Sequence, residues 1–151
     1  MFNRFRNVSL LVIAISLGLW IFSTPPPSTG GVKFGIIDAI KDKVDVLKEK
    51  KDEYEFLHSS PSNLVASTLS CTQVSLSWQD NFTNEQGFKI ERKIDAGTYS
   101  QIATVGADVT LYKDTGLNPN TKYYYRIRAY STYGNSNYSN EANTTTLVLQ
   151  E

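Results

Sequence analysis

The chain has 151 residues, room for one ordinary domain with extensions, and its 15 Lys and Arg balance its 15 Asp and Glu. A general nucleic-acid binder needs a basic surface to displace counterions from phosphate, so a formal charge of zero argues against that partner, and against electrostatic adhesion of the folded part to a membrane. One cysteine, Cys71, and one histidine, His58, allow neither an internal disulfide nor a four-ligand zinc site. Cys71 then reads as a small, partly buried residue near a turn, or as a thiol that pairs between chains.

Residues 1–24 place Arg4 and Arg6 ahead of an uncharged run from Val8 to Phe22. That is the layout of a secretory signal or of an N-terminal membrane anchor. Fifteen helical residues reach about 22 Å against a hydrocarbon core of roughly 30 Å. Adding Phe5 to Asn7 and Ser23–Thr24 makes a span if Arg6 snorkels. Ile21-Phe22-Ser23 and Phe22-Ser23-Thr24 each put a bulky residue where a cleavage site wants a small one, and Pro25 to Pro27 follow. The expectation is an uncleaved anchor, with a cleaved signal as the alternative; in either case the remainder is exported. The protein is then extracytoplasmic and membrane-anchored, or secreted.

Residues 25–32 form a Pro/Gly linker. Residues 33–58 carry Ile37, Ile40, Val44 and Leu47 at spacings of three and four, continued by Lys51 and Tyr54, amid six Lys and seven acids. This spacing predicts a charged amphipathic helix of about six turns. It suits a spacer, a short coiled coil giving a homo-oligomer through residues 36–57, or a membrane-surface helix, although balanced charge disfavours the last.

From Pro61 the period changes to two. Val74, Leu76 and Trp78 alternate with Ser75 and Ser77; Phe88 and Ile90 alternate with Lys89 and Glu91; Tyr123, Tyr125, Ile127 and Ala129 alternate with Tyr124, Arg126, Arg128 and Tyr130. Turn residues at Asn81–Asn84, Asp95–Gly97, Gly106–Asp108, Asn118–Asn120 and Tyr133–Ser136 separate the runs. About seven short strands over residues 61–147 predict an antiparallel sandwich with one wet face per sheet.

The details are similar to one family. Pro61-Ser-Asn-Leu64-Val-Ala66, Val74-Ser-Leu-Ser-Trp78 and Gly87-Phe-Lys-Ile-Glu-Arg92 resemble strands A, B and C of a fibronectin type III domain. Asp114-Thr-Gly-Leu117-Asn-Pro119-Asn-Thr121-Lys-Tyr123 resembles its E–F corner, and Tyr138-Ser-Asn-Glu-Ala142 its last strand in bacterial copies. The resemblance implies an all-β, seven-stranded immunoglobulin-like sandwich, here preceded by an N-terminal hydrophobic helix and the amphipathic helix. Trp78 would organise the core, and the Tyr123 hydroxyl would tie back to backbone near Leu117 or Asn118. Pro119 sits where no ladder donor is needed.

No catalytic constellation is legible. His58 stands alone, no Gly-rich phosphate loop follows a strand, and Asp80, Glu85, Asp95, Asp108 and Asp114 read as turn formers. No cofactor, metal site or catalytic residue is expected, and the chain reads as a non-enzyme. Binding candidates are two. Phe82 and Tyr133 lie in the B–C and F–G connections at the end where the stalk enters. Tyr124, Arg126, Arg128 and Tyr130 share one wet sheet face, where Glu91 is expected to neighbour Arg126 or Arg128. The expected function is an interaction or spacer module with an unidentified protein or polysaccharide partner. The alternatives are a carbohydrate-associated module and a subunit of a surface assembly joined through the helix.

Overall fold

The computed structural model describes residues 30–150. One helix, α1 (Gly30–His58), precedes eight strands: β1 (Ser62–Thr68), β2 (Gln73–Gln79), β3 (Gly87–Ile94), β4 (Ser100–Gly106), β5 (Leu111–Thr115), β6 (Lys122–Ser131), β7 (Gly134–Asn135) and β8 (Ala142–Thr145). The chain divides into a unit ending at Asp42 and a unit spanning Lys43–Glu151, and the rest of this section concerns the second.

Two antiparallel sheets form, β1-β2-β5 and β4-β3-β6, with β7 and β8 both pairing with β6 in the second. The period of two decides which side chains meet between them. Val74, Leu76 and Trp78 from β2 face Phe88, Ile90, Tyr123, Tyr125, Ile127 and Ala129 from β3 and β6, and all are buried. Asp95, Asp108 and Asn120, each in a turn marked by the sequence, hold positive φ, which Asp and Asn tolerate better than other side chains. Gly87 opens β3 at φ 150°, and a Cβ there would run into the Val105 carbonyl oxygen, so only glycine fits.

Eight strands stand where about seven are expected, because the last one is broken. Between β7 and β8 the serine hydroxyls replace part of the ladder. Ala129 N–H donates to Ser136 Oγ at 2.9 Å and Ile127 N–H to Ser139 Oγ at 3.1 Å. Ser136 and Ser139 N–H groups still donate to the Ala129 and Ile127 carbonyls. The backbone bends away, yet no donor of β6 is orphaned there.

The expectation of two helices ahead of the sandwich is corrected to one among the described residues. That helix begins at Gly30, within the expected linker, and ends at His58. Ile36, Ile37, Ile40, Val46, Leu47 and Tyr54 on it are exposed, so the seam read from its spacing is not covered. The membrane anchor is corrected as well, together with the signal-anchor and transmembrane readings, the membrane as partner and a membrane-anchored location. No helix among the described residues is long and apolar enough to cross a membrane. The helix that is described, α1, carries Lys, Asp and Glu at nearly every turn, which makes its own burial in hydrocarbon prohibitive. Residues 1–24, which suggested the anchor, lie outside the described residues.

Candidate interaction surface

The β2–β3 and β6–β7 connections, expected from sequence at one end of the sandwich, meet the end of α1. Phe56, 2 % exposed, stacks obliquely against Phe82 at 5.1 Å and Tyr133 at 6.0 Å between ring centroids. Phe82 in turn meets Phe88 edge-on at 6.4 Å, which joins the helix end to the sandwich core. Polar bonds lock the same joint: Asn137 N–H donates to the Ser59 carbonyl at 3.0 Å, and Asn81 Nδ2 donates to the Ser60 carbonyl at 2.9 Å. Phe82 and Tyr133 are therefore half-buried and share their surfaces with Phe56.

The structural residues fall as their side chains require. Trp78 lies edge-on to Phe88 at 5.6 Å, and its indole Nε1 is buried without a hydrogen-bond partner among the described residues. Tyr123 Oη accepts the Asn118 N–H at 2.9 Å, closing the corner. Leu117 is buried, and Thr121 Oγ1 donates to the Pro119 carbonyl at 2.9 Å, fixing the turn before β6.

The outer face of the five-stranded sheet is the other candidate. Tyr124, Arg126, Arg128 and Tyr130 are side by side on β6, each half-buried. In register across from them lie Lys93, Glu91 and Lys89 of β3. Glu91 is buried among them. It accepts from Arg126 Nε at 2.8 Å and Nη2 at 2.6 Å, from Tyr138 Oη at 2.8 Å, and pairs with Arg128 at 3.3 Å. Burial opposes ionisation of this carboxylate, but the Tyr138 bond, then the Arg126 bond and charge, then Arg128, outweigh it and hold its pKa below the usual range.

Cations and rings then alternate across the face. The Arg126 guanidinium lies over Tyr138 at 3.8 Å and over Tyr99 at 4.1 Å. Arg128 also lies over Tyr138, Lys93 over both Tyr99 and Tyr124, Lys122 over Tyr124 and Lys89 over Tyr130. Tyr99 donates to Glu141, and burial together with that carboxylate raises the Tyr99 pKa. Tyr99 and Tyr138 were not among the binding candidates read from sequence, Tyr138 entering only as part of the last-strand motif, because each sits in a loop with no alternation to assign it a face.

Two further clusters arise from residues the sequence marks as turn acids. Asp114 is in β5, 4 % exposed, not in a turn. Arg92 Nη1 donates to both its oxygens at 3.0 and 2.8 Å, and Tyr125 Oη donates at 2.9 Å. Since Asp114 belongs to one sheet and Arg92 and Tyr125 to the other, this triad ties the two layers. Asp80, Glu85 and Asp108 bring one carboxylate oxygen each within 4.8 Å. Turn bonds hold them there: Phe82 N–H donates to Asp80 and Asp108 N–H to Glu85. Burial raises the Asp80 pKa; the Phe82 bond counters it, and the charges of Glu85 and Asp108 add to the rise.

Solved structures share this architecture. The chicken CNTN1 FN1-FN3 domains match with a TM-score of 0.55 at 20 % identity, over 60 % of this chain and 32 % of that one. The fn3 domain of human contactin 1 matches with a TM-score of 0.57 at 15 % identity, over 62 % and 81 %. A Fn3-like protein from Clostridium thermocellum matches with a TM-score of 0.52 at 29 % identity, over 63 % of this chain and 99 % of that one. The chain thus spans about a third of the chicken fragment's length and nearly all of the clostridial protein's. No curated protein matches the sequence. The fibronectin type III domain family matches residues 59–145, which take in every strand, so the chain belongs to the fibronectin type III family, a non-catalytic fold that agrees with its reading as no enzyme.

Proposed function

We propose that this chain is an interaction module whose contact surface is the outer face of the five-stranded sheet, centred on Tyr124, Arg126, Arg128 and Tyr130. The observation that carries the reading is the fixation of Arg126 over Tyr99 and Tyr138 by the buried Glu91. Tyr and Arg are the side chains that dominate protein–protein binding energy, and here their rotamers are already held. Less conformational entropy is then lost on association than with free side chains. The joint at the end of α1 supports the reading by elimination. Phe82 and Tyr133 are engaged by Phe56 of the same chain and offer a partner little area.

A carbohydrate-binding role is the weaker alternative. Stacking on sugar rings needs open aromatic faces, whereas Tyr99, Tyr124 and Tyr138 each have two cations over the ring. A spacer role has support of its own in the helix–sandwich joint, which would fix the direction in which the last turns of α1 leave the domain.

The test is site-specific photo-crosslinking in the producing cell, with a photoreactive aromatic residue at Tyr124 or Tyr130 and a control at Lys113 on the outer face of β5. Discrete adducts from the first two positions and none from the third are expected. No adducts, or equal yields at all three, would remove the assignment of this face.

A further inference from the structure

The geometry points to an acidic protein segment as the partner of this face, an inference that rests on the reading above. Five cationic side chains gather there, Lys89, Lys93, Lys122, Arg126 and Arg128, against two carboxylates, Glu91 and Glu141. The whole chain is formally neutral, so this surplus of positive charge is local. Glu91 is buried and held by both arginines, which leaves the outward field positive.

Two of the cations keep spare donors. Lys122 pairs with no carboxylate among the described residues, and Lys89 Nζ meets the neutral amide oxygen of Asn135 at 2.8 Å. Lys122 and Tyr130 stand at opposite ends of one strand, eight residues apart, or about 26 Å. An extended acidic segment of about eight residues would cover that length, with its carboxylates meeting Lys122, Lys93 and Lys89 and its backbone lying over the fixed rings. Carboxylates also occur on acidic glycans. The protein source is preferred because the face is composed of the Tyr and Arg anchors that protein interfaces favour, and its rings are already covered by cations that a sugar would have to displace.

The experiment is an amide NMR titration of the full chain with three probes: a synthetic ten-residue Glu/Ser peptide, oligo-lysine of equal length, and a galacturonate oligomer. The acidic peptide should shift resonances confined to Lys89, Lys93, Lys122, Tyr124 and Tyr130. Its affinity should fall at least about tenfold in a Lys89→Glu/Lys122→Glu variant. Lys113→Glu, on the other sheet, should leave it unchanged. Shifts that are absent or scattered, or equal with oligo-lysine, would overturn the inference. Tighter binding of the galacturonate oligomer than of the peptide would overturn the choice of a protein partner. If crosslinks still form at Tyr124 while the peptide fails, the face stands as a contact surface and its acidic partner does not.

Discussion

Asp114 shows how far one side chain can depart from its local context. Its neighbours Thr115 and Gly116 mark a turn, yet it is buried and bonded to Arg92 and Tyr125 across the sandwich. Removing one partner of such a triad strands the others, so Asp114→Ala should cost about 2–4 kcal/mol, read from urea denaturation. Asp80 should behave in the opposite sense. Its folded-state pKa is raised, so the folded state holds this proton more tightly than the unfolded one, and the group loses stability for the protein as pH rises from the ordinary aspartate range through the raised value. Asp80→Asn should therefore raise the unfolding free energy read from urea denaturation at pH 7, by up to about 1 kcal/mol, and the gain should vanish in acid. Glu91 has the reverse sign: its lowered pKa gives stability that is present above the ordinary glutamate range and lost as pH falls through the folded value. The signs of these carboxylates could not be read along the chain. Alternation assigns a face to Glu91, and it predicts the Arg126 contact, but burial of Asp114 depends on Arg92, 22 residues away, and Tyr125, 11 away, and crowding of Asp80 on Glu85 and on Asp108 in another connection.

Strands were the legible elements. Val74, Leu76 and Trp78 of β2, Phe88 and Ile90 of β3 and Tyr123, Tyr125, Ile127 and Ala129 of β6 alternate along the chain and are buried, and the tyrosine corner follows from Leu117, Pro119 and Tyr123 in fixed order. The last strand was less legible, since Ser136 and Ser139 bond through hydroxyls and leave no alternation to detect. The end of α1 was harder still. Its spacing drew attention to Ile37, Ile40 and Leu47, which are exposed, while Phe56, off that series, is buried. Replacing a buried aromatic with alanine typically costs about 3–5 kcal/mol. Phe56→Ala should lie near the lower bound, about 3 kcal/mol, because the joint lies at one pole and can partly collapse. Thermal unfolding of the full chain checks it, and a loss under 1 kcal/mol would mean that the helix end is not part of the core.

Across the molecule, apolar packing, the Asp114 triad and the Glu91 network act in different layers: between the sheets, through both sheets, and on one outer face. Cooperative unfolding should then extend from the sandwich into the helix end. The amide of Asn137, bonded to the Ser59 carbonyl, should exchange hydrogen as slowly as the amides of β6, whereas exposed positions of α1 such as Val46 and Leu47 should exchange faster. Exchange at Asn137 as fast as at Leu47 would show a helix end that opens independently of the sandwich.

The docking of Phe56 bears on how this protein is cut for study. Family similarity begins at residue 59, three positions beyond the ring that covers Phe82 and Tyr133. A fragment started at that boundary would bare the faces of two aromatic side chains that Phe56 covers in the longer chain. Self-association or promiscuous capture by such a fragment would be a product of the truncation, and a start at or before Lys43 would avoid it.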